Sequence, residues 1–274
     1  MEQYHWLVPL GFVLGAYGTL VGAGGAFILV PILLLLYPQA NPETITSISL
    51  AVVFFNTASG SLAYAGSKRI DYKSGIMLSL ATVPGAVLGA LVTPYVPRGT
   101  FDALLGAVLV LAAAYIFGWP NPSSLPLGKA SGSRSRRYLV DLGGNVYEFS
   151  YNPLLGLALS FVVGFLSSLL GIGGGVIHVP MLIKLLGFPA HVATATSHFM
   201  LAIMSLAATL VHIGTGAFAH GLYRTIVLSL GMIIGAQLGA ILSGKLRGSL
   251  LVRGLAVALG LVGVRLLWTV CPWP

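Results

Sequence analysis

GAGGAFILVP, residues 22–31, lies inside an apolar stretch long enough to be a single helix, yet its middle is glycine. The same pattern returns 149 residues later as GIGGGVIHVP, residues 171–180. In a helix interior Gly costs about 1 kcal/mol relative to Ala, and Pro about 3 kcal/mol. Two such interruptions at matching places divide the chain into two similar halves and mark a break in each.

The surroundings set the solvent. Of 274 residues 57% are hydrophobic and 7% charged, against about 25% charged in soluble domains. Apolar runs cover roughly residues 5–37, 44–66, 73–95, 101–119, 153–186, 193–215, 222–244 and 249–271, lengths suited to a hydrocarbon core of about 30 Å. The runs do not alternate polar and apolar residues as membrane-barrel strands do, so the expected class is an all-α polytopic membrane protein. MEQYHW at the start lacks the positive region of a cleavable signal, so the first helix is expected to be retained. The formal charge of +8 comes mostly from short loops at segment ends, which argues for membrane orientation and against a nucleic-acid partner. The single cysteine, Cys271, excludes an internal disulfide and a Cys-based metal site.

Setting Gly22 against Gly171, and Thr46 and Ser47 against Thr196 and Ser197, aligns the halves with one residue inserted in the second. The register continues to Gly85 and Gly89 against Gly235 and Gly239. Each half then reads as a Gly-broken pair of short helices followed by three spanning helices, about ten helical segments in all, as in transporters built from repeats. Lys68, Arg69 and Lys73 mark one loop as cytoplasmic, and Lys129, Arg134, Arg136 and Arg137 the central connection. Lys245, Arg247 and Arg253 reach the same side only if residues 153–186 cross the membrane zero or two times. As one helix those residues would run about 51 Å, too long for an untilted crossing. A hairpin turning at GIGGG satisfies both observations, and its counterpart at GAGG makes the repeats inverted, with both termini outside. Arg98 and Arg224 fall on the outer side in this scheme. The expected divisions are a first repeat over 1–119, a cytoplasmic linker over 120–152 and a second repeat over 153–274. WPNPSSLPLGKASGSRSRR reads as exposed linker, and YLVDLGGNVYEFSY around Gly143 and Gly144 as a small cytoplasmic β-hairpin.

Within a bilayer, non-helical backbone must be buried in protein or line a cavity. Gly85-x-x-x-Gly89 and Gly231-x-x-x-Gly235-x-x-x-Gly239 have the spacing of close helix contacts. The contiguous runs Gly22, Ala23, Gly24, Gly25 and Gly171, Gly173, Gly174, Gly175 instead place new helix N-termini in mid-segment, where free N–H groups and the dipole favour an anion. Glu2, Glu43, Asp71, Asp102, Asp141 and Glu148 all lie in loops or at segment ends, so a cation path lacks its usual intramembrane carboxylate. Thr46, Ser47, Thr196, Ser197 and His198 are candidate donors to an oxyanion, the alternative for the hydroxyls being a bond to their own helix. Asn56 and Gln237 are expected to face inward, where bonding between helices is the favoured reading, and Asn56 is also a candidate substrate contact. His178 and His198 are candidates for proton coupling, the alternative being hydrogen-bonded packing residues. His191, His212 and His220 lie towards segment ends and read as interfacial.

At these residues the chain resembles the TauE/SafE sulfite exporter family, also called toluene sulfonate uptake permeases. The resemblance rests on the Gly-rich runs leading to Val30-Pro31 and Val179-Pro180 and on the Thr-Ser pairs within ITSISL and TATSHF. The second copy is closer to the family pattern, and the first departs from it at Ala26. The resemblance implies movement of sulfite, sulfoacetate or another sulfur-containing anion across a bacterial inner membrane, with no cofactor and no enzymatic step. The expected partners are a small anion and the lipid bilayer, and a homo-oligomer is compatible with the chain. Two rivals remain. A metal-ion permease using His178, His198 and His212 lacks carboxylate or thiolate partners. An intramembrane hydrolase would pair Ser197 with His198, adjacent residues that point about 100° apart on a helix.

Overall fold

The structure, a computed structural model, describes residues 4–118, 135–245 and 248–270. Ten α-helices and one two-stranded sheet appear among them. The first half comprises α1 (Leu7–Val21), α2 (Ala26–Leu36), α3 (Pro42–Gly66), α4 (Tyr72–Val92) and α5 (Arg98–Gly118). Strands β1 (Ser135–Val140) and β2 (Val146–Tyr151) follow, pairing antiparallel from Ser135–Tyr151 to Val140–Val146. The second half comprises α6 (Pro153–Leu169), α7 (Gly175–Pro180, continued as a π-helix over Met181–Leu185), α8 (Ala190–Gly214), α9 (Leu222–Ser243) and α10 (Gly248–Val270). Helices α3, α4, α5, α8 and α9 are long and apolar enough to cross a membrane.

The two breaks are made by left-handed glycines. Gly22, Gly24 and Gly25 have φ of 83°, 72° and 77°, and Gly171, Gly173 and Gly174 have 67°, 74° and 77°. A side chain disfavours that conformation, which is why glycine stands at these positions. Pro180 lacks an N–H, and from the next residue the helix is wound with the wider π repeat.

Packing fixes where each broken segment ends. A Cβ at Gly231, Gly235 or Gly239 would strike the carbonyl oxygens of Val8, Phe12 and Ala16 respectively, so α1 and α9 run parallel in close contact. Arg224, in the first turn of α9, lies 3.7 Å over the Tyr37 ring that follows α2. Helix α2 therefore ends where α1 begins, and the pair is a hairpin. The second half repeats this: Gly85 and Gly89 press on the Phe161 and Phe165 carbonyls, making α4 and α6 parallel. Leu186, just after α7, lies 3.4 Å from the Cβ position of Gly156 near the start of α6. Phe188 packs on Phe149 and Tyr151 of β2, with ring centroids 4.3 and 5.2 Å apart.

The bundle thus has a β-hairpin end and an opposite end. Helix α5 starts at the opposite end, where Arg98 donates to the Leu34 and Ala40 carbonyls. Helix α8 finishes there, with Thr215 bonded to Glu43. The α3–α4 loop lies at the β-hairpin end, held by Arg137 to Asp71, Arg69 to Asp141 and the Leu142 amide to the Ser67 carbonyl. The first half runs from the opposite end to the β-hairpin end and the second half returns, so the repeats are inverted. Their partners exchange accordingly: α1 packs on α9 as α6 packs on α4, while α3 meets α8 and α5 meets α10.

Two expectations are corrected. Ser135–Arg137, assigned to linker, belong to β1. The register between halves also differs. Helices α3 and α8 correspond at a spacing of 148 residues at both ends, because the loop before α8, 186–189, is one residue shorter than its counterpart, 37–41. Thr46 therefore corresponds to Thr194, and Ser49 to Ser197. The spacing becomes 150 only at α4 and α9, whose preceding loops are 67–71 and 215–221. Lys129, Arg134, Arg247, Cys271 and Glu2, with linker residues 119–134, lie outside the described residues.

Asp71 is 2% exposed and caps α4. Burial alone would raise its carboxyl, but hydrogen bonds from Arg137 and Ser74 and the guanidinium charge hold it below the usual carboxylate range. Its folded value being depressed, this contribution is complete above the ordinary pKa of about 3.9 and is lost as pH falls below it. Asp71→Asn should cost about 1.5–3 kcal/mol at pH 7, and the deficit in melting temperature against the wild type should close under strong acid. A second test concerns the small-residue contacts. Gly235→Ala should force α1 and α9 apart and cost about 1–3 kcal/mol, whereas Gly66→Ala, with nothing within 4 Å, should change thermal stability by under about 0.5 kcal/mol.

Candidate substrate site

The two glycine turns meet each other at the centre of the bundle. All of Gly22–Gly25 and Gly171–Gly175 is buried. A Cβ at Gly175 would strike the Gly22 carbonyl and the Ala23 backbone, and one at Gly173 would lie 3.5 Å from the Ala26 Cβ. Gly25 packs in the same way on its own hairpin, 2.6 Å from Cβ position to the Leu14 oxygen. Part of the glycine content thus serves backbone-to-backbone contact, and Gly175 in particular serves the contact between halves.

Each turn is gripped by the other half. Ser49 of α3 donates to the Gly171 carbonyl at 2.7 Å, and its repeat mate Ser197 of α8 donates to the Gly22 carbonyl at 3.3 Å. The Thr46 Cγ2 lies 2.8 Å from the Gly171 Cβ position, as the Thr194 Cγ2 does from that of Gly22. Ser49 and Thr194 were missed because the Thr-Ser pairs were matched by identity. The signal that finds them is the equal length of α3 and α8.

The remaining hydroxyl candidates point elsewhere. Thr46 donates to the Glu43 carbonyl and Ser47 to the Thr44 carbonyl, within their own helix. The Thr196 hydroxyl accepts from the Asp71 amide at 3.0 Å and packs beside Gly75, so it serves the α3–α4 loop. Asn56 joins a network rather than an open surface: its amide donates to the Gly15 and Met232 carbonyls and its oxygen accepts from Thr19. His198 Nε2 lies 3.2 Å from the Thr19 hydroxyl, and its ring meets Tyr64 edge-on at 5.6 Å. Gln237 donates to the Ser59 backbone and hydroxyl. His178 is fully buried on α7, and neither of its ring nitrogens has a hydrogen-bond partner. His212, read as interfacial, is also fully buried.

Among the described residues, the amides of Gly25, Ala26 and Phe27 at the start of α2, and of Gly173, Gly174 and Val176 at the second turn, make no hydrogen bond. They are the donors a helix start leaves free, placed where the two turns pack on each other. The described acidic residues stay at the two ends of the bundle, Asp71, Asp141 and Glu148 at the β-hairpin end and Glu43 and Asp102 at the other. No group of three His, Cys, Asp or Glu comes together among the described residues, so His178, His198 and His212 do not assemble a metal site. Ser197 and His198 are bonded to different groups, Gly22 and Thr19, and not to each other.

The Thr196 contact makes a testable distinction. Thr196→Val should lower stability by about 1 kcal/mol through loss of the acceptor for the Asp71 amide, with substrate affinity unchanged. Titration and melting of the same purified variant would check both halves of that statement.

The family profile described as Sulfite exporter TauE/SafE matches residues 7–266. The probable membrane transporter protein YunE of Bacillus subtilis is 33% identical, covering 96% of each chain. The probable membrane transporter protein MJ0441 of Methanocaldococcus jannaschii is 25% identical over 95% of this chain and 94% of its own. No solved structure matches. A match across nearly the whole chain, on a bundle of inverted repeats with apolar spanning helices, makes this an integral membrane transporter that belongs to the TauE/SafE sulfite exporter family.

Proposed function

We propose that the chain exports a small sulfur-containing oxyanion, such as sulfite, sulfoacetate or another organosulfonate, through one site between the inverted repeats. The observation that carries the reading is that the two glycine turns are buried against each other and each leaves backbone amides without a hydrogen bond. Such donors at helix starts complement negative charge, and the carboxylates stand away from them. The turns are buried against each other while each is held by a serine of the opposite half. Rocking one half on the other would open the turns to either end, the alternating access that inverted repeats permit.

Orientation follows from charge. Lys68, Arg69, Lys73, Arg136, Arg137 and Lys245 gather at the β-hairpin end, with Arg98 and Arg224 opposite. That bias supports a cytoplasmic β-hairpin, with both termini outside a bacterial inner membrane. An interior negative by about 100 mV then drives each exported negative charge with about 2.3 kcal/mol, so no coupling ion is required.

Two experiments test the reading. Proteoliposomes challenged with sulfite, sulfoacetate, thiosulfate and chloride should move a sulfur oxyanion in preference to chloride; equal rates for all four would contradict the substrate class. In a Cys271→Ser background, Cys at Leu142 or Lys245 should react with impermeant reagent only from the cytoplasmic side, and Cys at Gln39 or Thr215 only from outside. Labelling of Leu142 and Lys245 variants from opposite sides would break the inverted scheme.

A further inference from the structure

The two glycine turns are not chemically equivalent, and the difference lies in what surrounds them. Gly174, the left-handed residue just before α7, has three side-chain atoms packed closely beside it, so the turn is closed in this state: a Cβ there would lie 3.2 Å from His178 Nδ1, 3.2 Å from Ser167 Oγ and 3.3 Å from Met204 Cε. Ser167 and His178 are both 0% exposed, and neither the serine hydroxyl nor either imidazole nitrogen has a hydrogen-bond partner. The amides of Gly174 and Val176 at the same turn are also unpaired. Buried polar groups in native proteins are satisfied with few exceptions, and leaving several together without partners is destabilising.

The first turn lacks this set. At the repeat spacing of 149, Ser167 corresponds to Gly18 and His178 to Leu29, while at 148 Met204 corresponds to Asn56. Apart from His198 Nδ1, the polar side chains present there are already joined: Thr19 to Asn56, Asn56 to the Gly15 and Met232 carbonyls, and His198 Nε2 to Thr19. Side chains of both halves thus hold α1, α3, α8 and α9 together around the first turn. The second turn keeps Ser167 and His178 unpaired around Gly174.

We infer that the oxyanion is held at the second turn alone, by Ser167 Oγ–H, His178 Nδ1–H and the amides of Gly174 and Val176, with the first turn acting as its structural mate. This rests on the anion reading above and assigns that site to particular atoms. The donors suit a compact head with several oxygens on one centre, the sulfite or sulfonate group. Met204 forms the movable wall, since an unbranched thioether can swing aside to admit the remainder of an organosulfonate. Ser167 is a specificity contact that none of the glycine motifs indicates.

Removing groups that are unpaired without ligand separates binding from folding. In detergent, without anion, Ser167→Ala and His178→Leu should melt at the wild-type temperature or above it, and sulfite should bind at least tenfold more weakly, read from the concentration dependence of the melting shift. Thr19→Val should do the reverse, melting lower while keeping sulfite affinity within twofold. The same proteins in liposomes should show sulfite flux lost in the first two and retained in the third. If the wild type responds to sulfite and both Ser167→Ala and His178→Leu respond equally well, the pocket is overturned and the anion reading stands. If the wild type neither binds nor moves sulfite, sulfoacetate, thiosulfate or chloride, both fall together. Should sulfoacetate or thiosulfate be the anion bound, the same comparison with that anion decides.

Discussion

Backbone that leaves helical geometry inside a membrane has no water to satisfy it, and the rest of this architecture depends on that constraint. A single broken helix in a bilayer would expose amides and carbonyls to lipid. Two broken helices facing one another can bury the defect between them. Here the Gly22 and Gly171 carbonyls are each taken by a serine from the opposite half, and Gly175 lets the second turn lie directly on Ala23. Each half thus supplies a hydrogen-bond donor that the turn of the other half uses.

The long helices serve this junction. Helices α1 and α6 lean on α9 and α4 through glycines whose Cβ atoms would hit carbonyl oxygens, which brings the turns close to the middle of α3 and α8. In lipid, such close approach replaces the hydrophobic drive that would bring the helices together in water. At the β-hairpin end, Arg137 and Arg69 hold Asp71 and Asp141, tying the connection between halves to the α3–α4 loop.

Much of this was legible in the chain. The glycine runs announced the breaks, since left-handed backbone admits little else, and the basic loops required hairpins rather than crossings. Alternation around Gly143 and Gly144 foretold the β-hairpin. The side chains of the site were harder to read. Thr46-Ser47 and Thr196-Ser197 look like mates, but loops of unequal length shift the true correspondence by two residues and bring Ser49 to the turn in place of Ser47. Thr196 was drawn into the site by that false register, whereas its hydroxyl faces the Asp71 amide. Spacing along one chain fixes which residues share a helix face, not which neighbour that face meets. For the same reason the partners of Thr19 were invisible, and so was the contrast with Ser167 and His178, whereas bonding of Asn56 between helices was expected.

The central claim is that an oxyanion binds where the two turns meet. Selenite shares the shape and charge of sulfite and scatters anomalously, so its position in crystals of the purified protein tests the claim most directly. The account predicts one anomalous peak at the bundle centre, within hydrogen-bond distance of the Gly174 amide and the Ser167 hydroxyl. A selenium peak bound only at either end of the bundle, with the turns still closed on each other, would contradict it.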